Sequence, residues 1–251
     1  MTLAEQAAAN LRHPLTLALL ALTFSTGTVD AVSYLGLGHV FTANMTGNVV
    51  LLAFGIAGAG HLPVLAPIVS MVTFALGVGA GGVLGRRLGQ RHPADFAVAL
   101  ALEGAMLTAA AILVAVATIH PGSAPADVTI ALMATAMGIR NATVRRLAVP
   151  DLTTTVLTMT LTGLAADSKL AGGTGKGTVR RSMAILSMLV GALCGALMLR
   201  TGLVLPLAFA AGLALVACLA YPPAGRAASK SEASGAGSPK VTDDAALRAG
   251  A

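Results

Sequence analysis

The sequence predicts an all-α fold: a polytopic membrane helix bundle with six spanning helices and two re-entrant or broken helices, in a 3+3 inverted-repeat architecture. The first observation is composition, because the 251 residues are 56% hydrophobic and 10% charged, with a mean hydropathy of +0.83. Soluble domains contain about 25% charged residues, and disordered chains combine low hydrophobicity with high charge. Both classes are therefore excluded. The other two observations are the lengths of the apolar runs and the placement of lysine and arginine.

Six apolar runs are long enough to cross a bilayer, which takes about 20 residues. They are 14–38, 63–84, 96–119, 127–147, 182–199 and 202–220. We expect a cytoplasmic N-terminal segment at 1–13 and a single membrane domain at 14–220, divided into repeat one (14–119) and repeat two (127–220). Residues 221–251 are rich in Pro, Gly, Ser and Ala, which predicts a disordered cytoplasmic tail.

Two further segments are apolar but too short to span. Residues 41–60 (FTANMTGNVVLLAFGIAGAG) open with a polar stretch, and residues 152–166 (LTTTVLTMTLTGLAA) place threonines among the apolar positions. Backbone groups that a short or broken helix leaves unpaired are tolerated in a membrane only where protein or a water-filled cavity surrounds them. We therefore predict that both segments re-enter or break.

The placement of the 16 lysines and arginines supports this interpretation. If all eight segments crossed the membrane from a cytoplasmic N-terminus, nine would lie inside and seven outside. If the two short segments return to their own side, only Arg200 lies outside. Because lysine and arginine accumulate in cytoplasmic loops, we predict a bacterial inner-membrane protein with both termini in the cytoplasm.

The two halves of the chain correspond. A shift of 111 residues places residues 27–31 (GTVDA) on 138–142 (GIRNA), and each short segment on the other. Each half then consists of a span, a short segment and two further spans. Because three spans are an odd number, the second half is inverted relative to the first.

Paired short segments in two inverted halves indicate a central site in secondary transporters. The candidate substrate-binding residues are polar side chains in or near these segments: Asp30, Asn44, Thr46, Asn48, Asn141, Thr155 and Thr158. Asn and Thr side chains also hold membrane helices together by hydrogen bonds, and this alternative stays open. Asp30 is either a protonatable coupling site or a structural residue that binds a broken helix end.

Two further groups of residues are expected to hold the bundle together. Glu103 and Arg140 should lie at similar depths in antiparallel spans, which predicts an intramembrane ion pair, since unpaired charges there are costly. Glycines at four-residue spacing let membrane helices approach closely. They are Gly77, Gly81 and Gly85 in the second span and Gly191 and Gly195 in the fifth.

Several functions are not supported by the sequence. The net charge is +6, yet aromatic residues make up 3% and Trp is absent, so no platform for stacking nucleic-acid bases is expected. Cys194 and Cys218 lie in apolar stretches without a paired ligand motif, and we expect no metal site and no cofactor. The absence of a nucleophile–base or metal-ligand constellation predicts that the protein is not an enzyme.

Residues 26–52 (TGTVDAVSYLGLGHVFTANMTGNVVLL) and 137–168 (MGIRNATVRRLAVPDLTTTVLTMTLTGLAADS) resemble the two signature regions of the YoaK family. These are bacterial multi-pass membrane proteins classed as a domain of unknown function. The resemblance extends over most of residues 14–220, and the segments 44–48 (NMTGN) and 151–155 (DLTTT) are its most specific parts. It implies a six-span inner-membrane protein and carries over no binding residues.

The function that the sequence favours is a small secondary transporter or permease, with a central site that alternates between the two sides as one repeat rocks against the other. The alternative is a non-transporting structural or partner-binding membrane protein. The expected partners are membrane lipids and a small-molecule or ion substrate, and a homo-oligomer is compatible with the sequence.

Overall fold

The structure is a computed structural model that describes residues 13–88, 92–147, 157–175 and 177–235. In these ranges the chain forms eight α-helices and no β-strand. They are α1 (Pro14–Gly36), α2 (Met45–Ile56), α3 (Leu65–Leu88), α4 (His92–Val116), α5 (Ala124–Leu147), α6 (Leu157–Ala166), α7 (Thr178–Met198) and α8 (Val204–Gly235). The predicted all-α class is thereby confirmed for the described residues.

Four helical stretches are long and apolar enough to cross a membrane: Pro14–Gly36, Leu65–Leu88, Asp95–Val116 and Thr178–Thr201. The predicted spans at 127–147 and 202–220 do not meet this criterion. α5 is too polar, because it carries Arg140, Asn141 and two further arginines in its last turn, and the apolar part of α8, Val204–Ala220, is short. By length and composition alone, four helices in the described part of the chain are candidate spans.

α8 is longer than the sequence analysis predicts. It continues to Gly235, whereas a disordered tail was expected from residue 221. The sequence GRAASKSEASG contains alanine, lysine, arginine and glutamate, which favour helix, and these residues extend a helix that is already formed. Residues 236–251 and most of the predicted N-terminal segment lie outside the described residues.

The two short segments form short helices. α2 has 12 residues and the described part of α6 has 10, so at 1.5 Å per residue they extend about 18 and 15 Å, against about 30 Å of hydrocarbon. Asn44 caps the start of α2 by accepting a hydrogen bond from the Gly47 N–H at 3.3 Å. A turn with positive φ at Gly58 and Gly60 follows α2. These two local signals delimit α2.

α1 and α7 pack closely and run in the same direction. Gly191 of α7 lies on the backbone of Phe24, and Gly195, one turn later, lies on the backbone of Thr28. Gly27 of α1 faces the α7 backbone in return. A methyl group at any of these glycines would collide with main-chain atoms, so the contact depends on residues without a side chain.

α3 and α5 pack in the same way. Gly77 of α3 lies on the backbone of Thr135, and Gly81 lies on the backbone of Ile139. Gly138 of α5 faces the α3 backbone in return. These two helices are therefore also parallel, and α5 is buried along most of its length.

α8 packs antiparallel to α4 and α1, and α4 packs antiparallel to α5, while α2 lies on α3 and α6 lies on α7. Cys218 lies against Ala97 and Leu215 against Gly104 across α4–α8, and Phe24 contacts Phe209 across α1–α8. One buried cluster joins the beginnings of α1 and α4 to the ends of α5 and α8 (Leu15, Leu100, Val144 and Ala217), and a second joins later parts of α1 and α4 to the beginnings of α5 and α8 (Val32, Ala110, Ile130 and Leu207). Consequently α1, α4 and α7 run in one direction and α3, α5 and α8 in the other.

Candidate functional site

Asp30 lies near the end of α1 and holds the chain that leads into α2. Its side chain is 5% exposed, and its Oδ1 accepts hydrogen bonds from the N–H groups of Thr42 at 3.1 Å and Ala43 at 2.9 Å. These donors come just before the cap of α2, where backbone N–H groups lack helical partners. This is the geometry of the structural alternative for Asp30, in which the carboxylate binds a broken helix end.

Asn48, in the first turn of α2, also binds the segment that leads into this helix. Its Oδ1 accepts from the Phe41 N–H at 2.8 Å, and its Nδ2 donates to the Phe41 carbonyl at 2.6 Å and to Ser70 Oγ at 3.2 Å. Ser70 of α3 also donates to the Phe41 carbonyl, at 2.6 Å. Asn48 is fully buried in these contacts, which join α2 to α3 through Ser70.

A cavity of about 110 Å³ lies where the two short segments meet. Seven described residues line it: Thr26, Asp30, Ala43, Asn44, Leu157, Thr158 and Met188. They come from α1, from the residues leading into α2, from the beginning of α6 and from α7. The wall thus combines a buried carboxylate with the exposed side chains of Asn44 and Thr158.

A buried ion pair lies beside the cavity. Arg140 Nη1 is 2.9 Å from Glu103 Oε1, and the two side chains are 1% and 0% exposed. Arg140 also donates through Nη2 to Thr26 Oγ1 at 2.7 Å and through Nη1 to the Leu22 carbonyl at 3.2 Å. The guanidinium therefore joins α5 to α4 and α1 and reaches the cavity wall through Thr26.

The other candidate residues lie away from the cavity or outside the described ranges. Thr46 is exposed on α2. Asn141 is half-buried, and its Nδ2 donates to the Met137 carbonyl one turn earlier at 2.9 Å. Thr155 belongs to a segment that the structure does not describe. Of the seven candidates, Asp30, Asn44 and Thr158 lie together in the cavity wall.

Sequence reasoning missed Thr26 and Met188 as lining residues. Thr26 could have been found, because it lies one helical turn before Asp30 and so shares its face of α1. Met188 gives no such signal, since its position depends on how α7 packs against α1. In the described residues, no group of three or more His, Cys, Asp or Glu side chains could hold a metal ion.

The apolar helices and the buried ion pair define a multi-pass helical membrane protein. The chain belongs to the family described as "Protein of unknown function (DUF1275)", whose model matches residues 18–220. It is 36% identical over 189 residues to the UPF0700 transmembrane protein YoaK of Bacillus subtilis (strain 168). The matched region covers 72% of this chain and 81% of that protein. The predicted membership of the YoaK family is thus confirmed. No solved structure matches the chain.

Proposed function

We propose that the protein is a small, non-enzymatic secondary transporter of the bacterial inner membrane, with six spans and both termini in the cytoplasm. The observation that carries this proposal is the cavity, because its wall joins Asn44 before α2, Thr158 in α6 and the carboxylate of Asp30. Discontinuous helices that contribute to one central site are the usual design of such transporters.

The helix directions support two re-entrant segments. α1 and α3 run in opposite directions with only α2 between them, so α2 begins and ends on one side of the bundle. α5 and α7 likewise run in opposite directions with α6 between them. Because α1 and α5 are antiparallel, the two segments enter from opposite sides, as an inverted repeat requires.

The packing pattern supports the same architecture. Exchanging α1 with α5, α2 with α6, α3 with α7 and α4 with α8 converts each principal helix contact into another observed one. The glycines at these contacts show the same exchange. Gly27 corresponds to Gly138 at a shift of 111 residues, and Gly77 and Gly81 correspond to Gly191 and Gly195 at a shift of 114.

The moving bodies of the proposed transporter differ from the sequence repeats. α1 of repeat one packs on α7 of repeat two, and α5 of repeat two packs on α3 of repeat one. Rocking one repeat against the other would separate these close glycine contacts. We therefore propose that α1, α6 and α7 move as one body and α2, α3 and α5 as the other, with α4 and α8 between them.

Cysteine accessibility tests this proposal. In a Cys194→Ser/Cys218→Ser background, Asn44→Cys and Thr158→Cys are treated with a membrane-impermeant maleimide in right-side-out and in inside-out vesicles. An alternating cavity exposes both positions to each side in turn, so we expect labelling in both preparations. Labelling of each position from one side alone would contradict transport and favour the structural alternative, which the contacts of Asn48 support.

Two control variants accompany this experiment. Leu186→Cys alters a side chain of α7 that is 54% exposed on the outer face, and it should react from neither side because lipid covers it. Lys169→Cys alters an exposed residue after α6, and it should react only in inside-out vesicles. Reaction of Lys169→Cys from the outside would contradict the proposed orientation.

A further inference from the structure

The charged groups that the structure describes at or beside the cavity, Asp30, Glu103 and Arg140, sum to one negative charge. Asp30 is the one ionisable side chain among the described residues of the wall. The guanidinium of Arg140 contacts Thr26 of the wall but is paired with Glu103 at 2.9 Å. Two carboxylates thus face a single guanidinium, and the uncompensated one lines the cavity.

The polar groups of the wall present mainly oxygen atoms. Thr26 donates its hydroxyl proton to the Leu22 carbonyl at 2.9 Å and accepts a hydrogen bond from Arg140 at 2.7 Å, so it can offer a ligand only an oxygen lone pair. Two N–H groups occupy two of the roughly four acceptor positions of the Asp30 carboxylate. Asn44 and Thr158 add a side-chain amide oxygen and a hydroxyl oxygen.

The size of the cavity limits the ligand. Its volume of about 110 Å³ is smaller than the roughly 300–1,000 Å³ of pockets for drug-sized ligands, which favours a small ligand. Ca²⁺ sites use about six to eight oxygen ligands, whereas the described residues of this wall supply one carboxylate and three other side-chain oxygens. A divalent ion would also leave one positive charge without a counter-charge among them. A single positive charge of small radius fits both the charge and the volume.

We propose that this cavity binds a small monovalent cation, an alkali ion or ammonium, between Asp30, Asn44 and the hydroxyl oxygens of Thr26 and Thr158. In the proposed transporter, the cation is the transported solute or the coupling ion. This role of the cation rests on the proposed transport function. Binding itself requires neither transport nor alternating access, so the two proposals can fail separately.

Cation-dependent thermal stability of the purified full-length protein tests the proposal. The chain has no Trp, so unfolding is followed with a dye that becomes fluorescent on reaction with Cys194 and Cys218, which are free thiols. NaCl, KCl and NH4Cl are titrated against choline chloride at constant ionic strength. A ligand that binds only the folded state raises the Tm with concentration, so we expect a saturable rise with at least one small cation and none with choline.

Asp30→Asn is the decisive variant. Asn keeps an oxygen that can accept from the Thr42 and Ala43 N–H groups but removes the charge, so the cation-dependent rise in Tm should disappear. Asp127→Asn, the same substitution in the first turn of α5, should leave it unchanged. If Asp30→Asn does not fold, Thr158→Val removes one hydroxyl from an exposed position and should weaken cation affinity several-fold.

The outcomes separate the ligands and the two proposals. Saturation by Na⁺ or K⁺ alone identifies an inorganic ion, and saturation by NH4⁺ alone identifies an ammonium group. Equal responses to all salts including choline, or a rise that persists in Asp30→Asn, would overturn the cation site while leaving the cysteine-accessibility result intact. A cation response lost in Asp30→Asn together with one-sided labelling would keep the site and overturn transport.

Discussion

The α1–α7 and α3–α5 pairs pack alike but carry different polar side chains. Both pairs depend on glycines that lie on a neighbouring backbone. At a shift of 111 residues, however, Asp30 of α1 corresponds to Asn141 of α5, and Asn48 of α2 corresponds to Met159 of α6. The two helix pairs therefore share close packing but not polar side chains. As a result, the buried carboxylate of the cavity belongs to the α1–α7 pair and has no counterpart in the α3–α5 pair.

The buried ion pair gives the largest expected difference between the two pairs of helices. At the same shift of 111 residues, Arg140 of α5 corresponds to Val29 of α1, so α1 has no equivalent charge at this position. Glu103→Gln removes the carboxylate that contacts the buried guanidinium of Arg140 at 2.9 Å. We expect a loss of about 3–5 kcal/mol of stability, seen as a large fall in Tm and in membrane abundance. The double variant Glu103→Gln/Arg140→Gln should recover part of the loss, and full tolerance of Glu103→Gln alone would contradict a role for the pair.

The glycine contacts test whether the two pairs are equivalent in packing. Gly77→Ala and Gly191→Ala each place a methyl group against a neighbouring backbone, and each should lower stability by about 1–3 kcal/mol. Gly79→Ala is the matched control, because a methyl group there meets nothing within 4 Å. If Gly79→Ala lowers the Tm as much as Gly77→Ala, close helix contact is not the cause.

The two short segments differ in their hydrogen bonds to neighbouring residues. This difference predicts the smallest of the expected effects on stability. Asn48→Ala leaves the Phe41 N–H without its partner, while Ser70 still donates to the Phe41 carbonyl, and this should cost about 1–3 kcal/mol. Met159 occupies the corresponding place in α6 and is 66% exposed, so Met159→Ala should change stability by less than about 0.5 kcal/mol. Equal Tm shifts for the two variants would remove the proposed difference between α2 and α6.

Several elements follow from local sequence signals. The cap at Asn44 and the glycines after α2 mark a helix too short to span, and the spacing of Gly77 and Gly81 marks a face for close helix contact. The pairing of Glu103 with Arg140 could be anticipated because two charges inside a membrane have few alternatives to each other. Such signals act within one helix or through a strong energetic requirement, so they can be read without a fold.

Other features depended on packing between distant parts of the chain. Nothing in the sequence shows that α1 packs on α7 rather than within its own half, or that Asn48 turns to Phe41 and Ser70 instead of the cavity. A polar side chain in a short helix can bind a ligand or a neighbouring backbone, and only the position of that backbone decides between them.

The amino-acid sequence by itself determined that this is a helical membrane protein with two short apolar segments, because hydropathy, helix length and capping are local properties. Only the tertiary structure decided which polar groups share a cavity. Asp30, Asn44 and Thr158 are far apart along the chain, and long-range helix packing alone brings them to one wall.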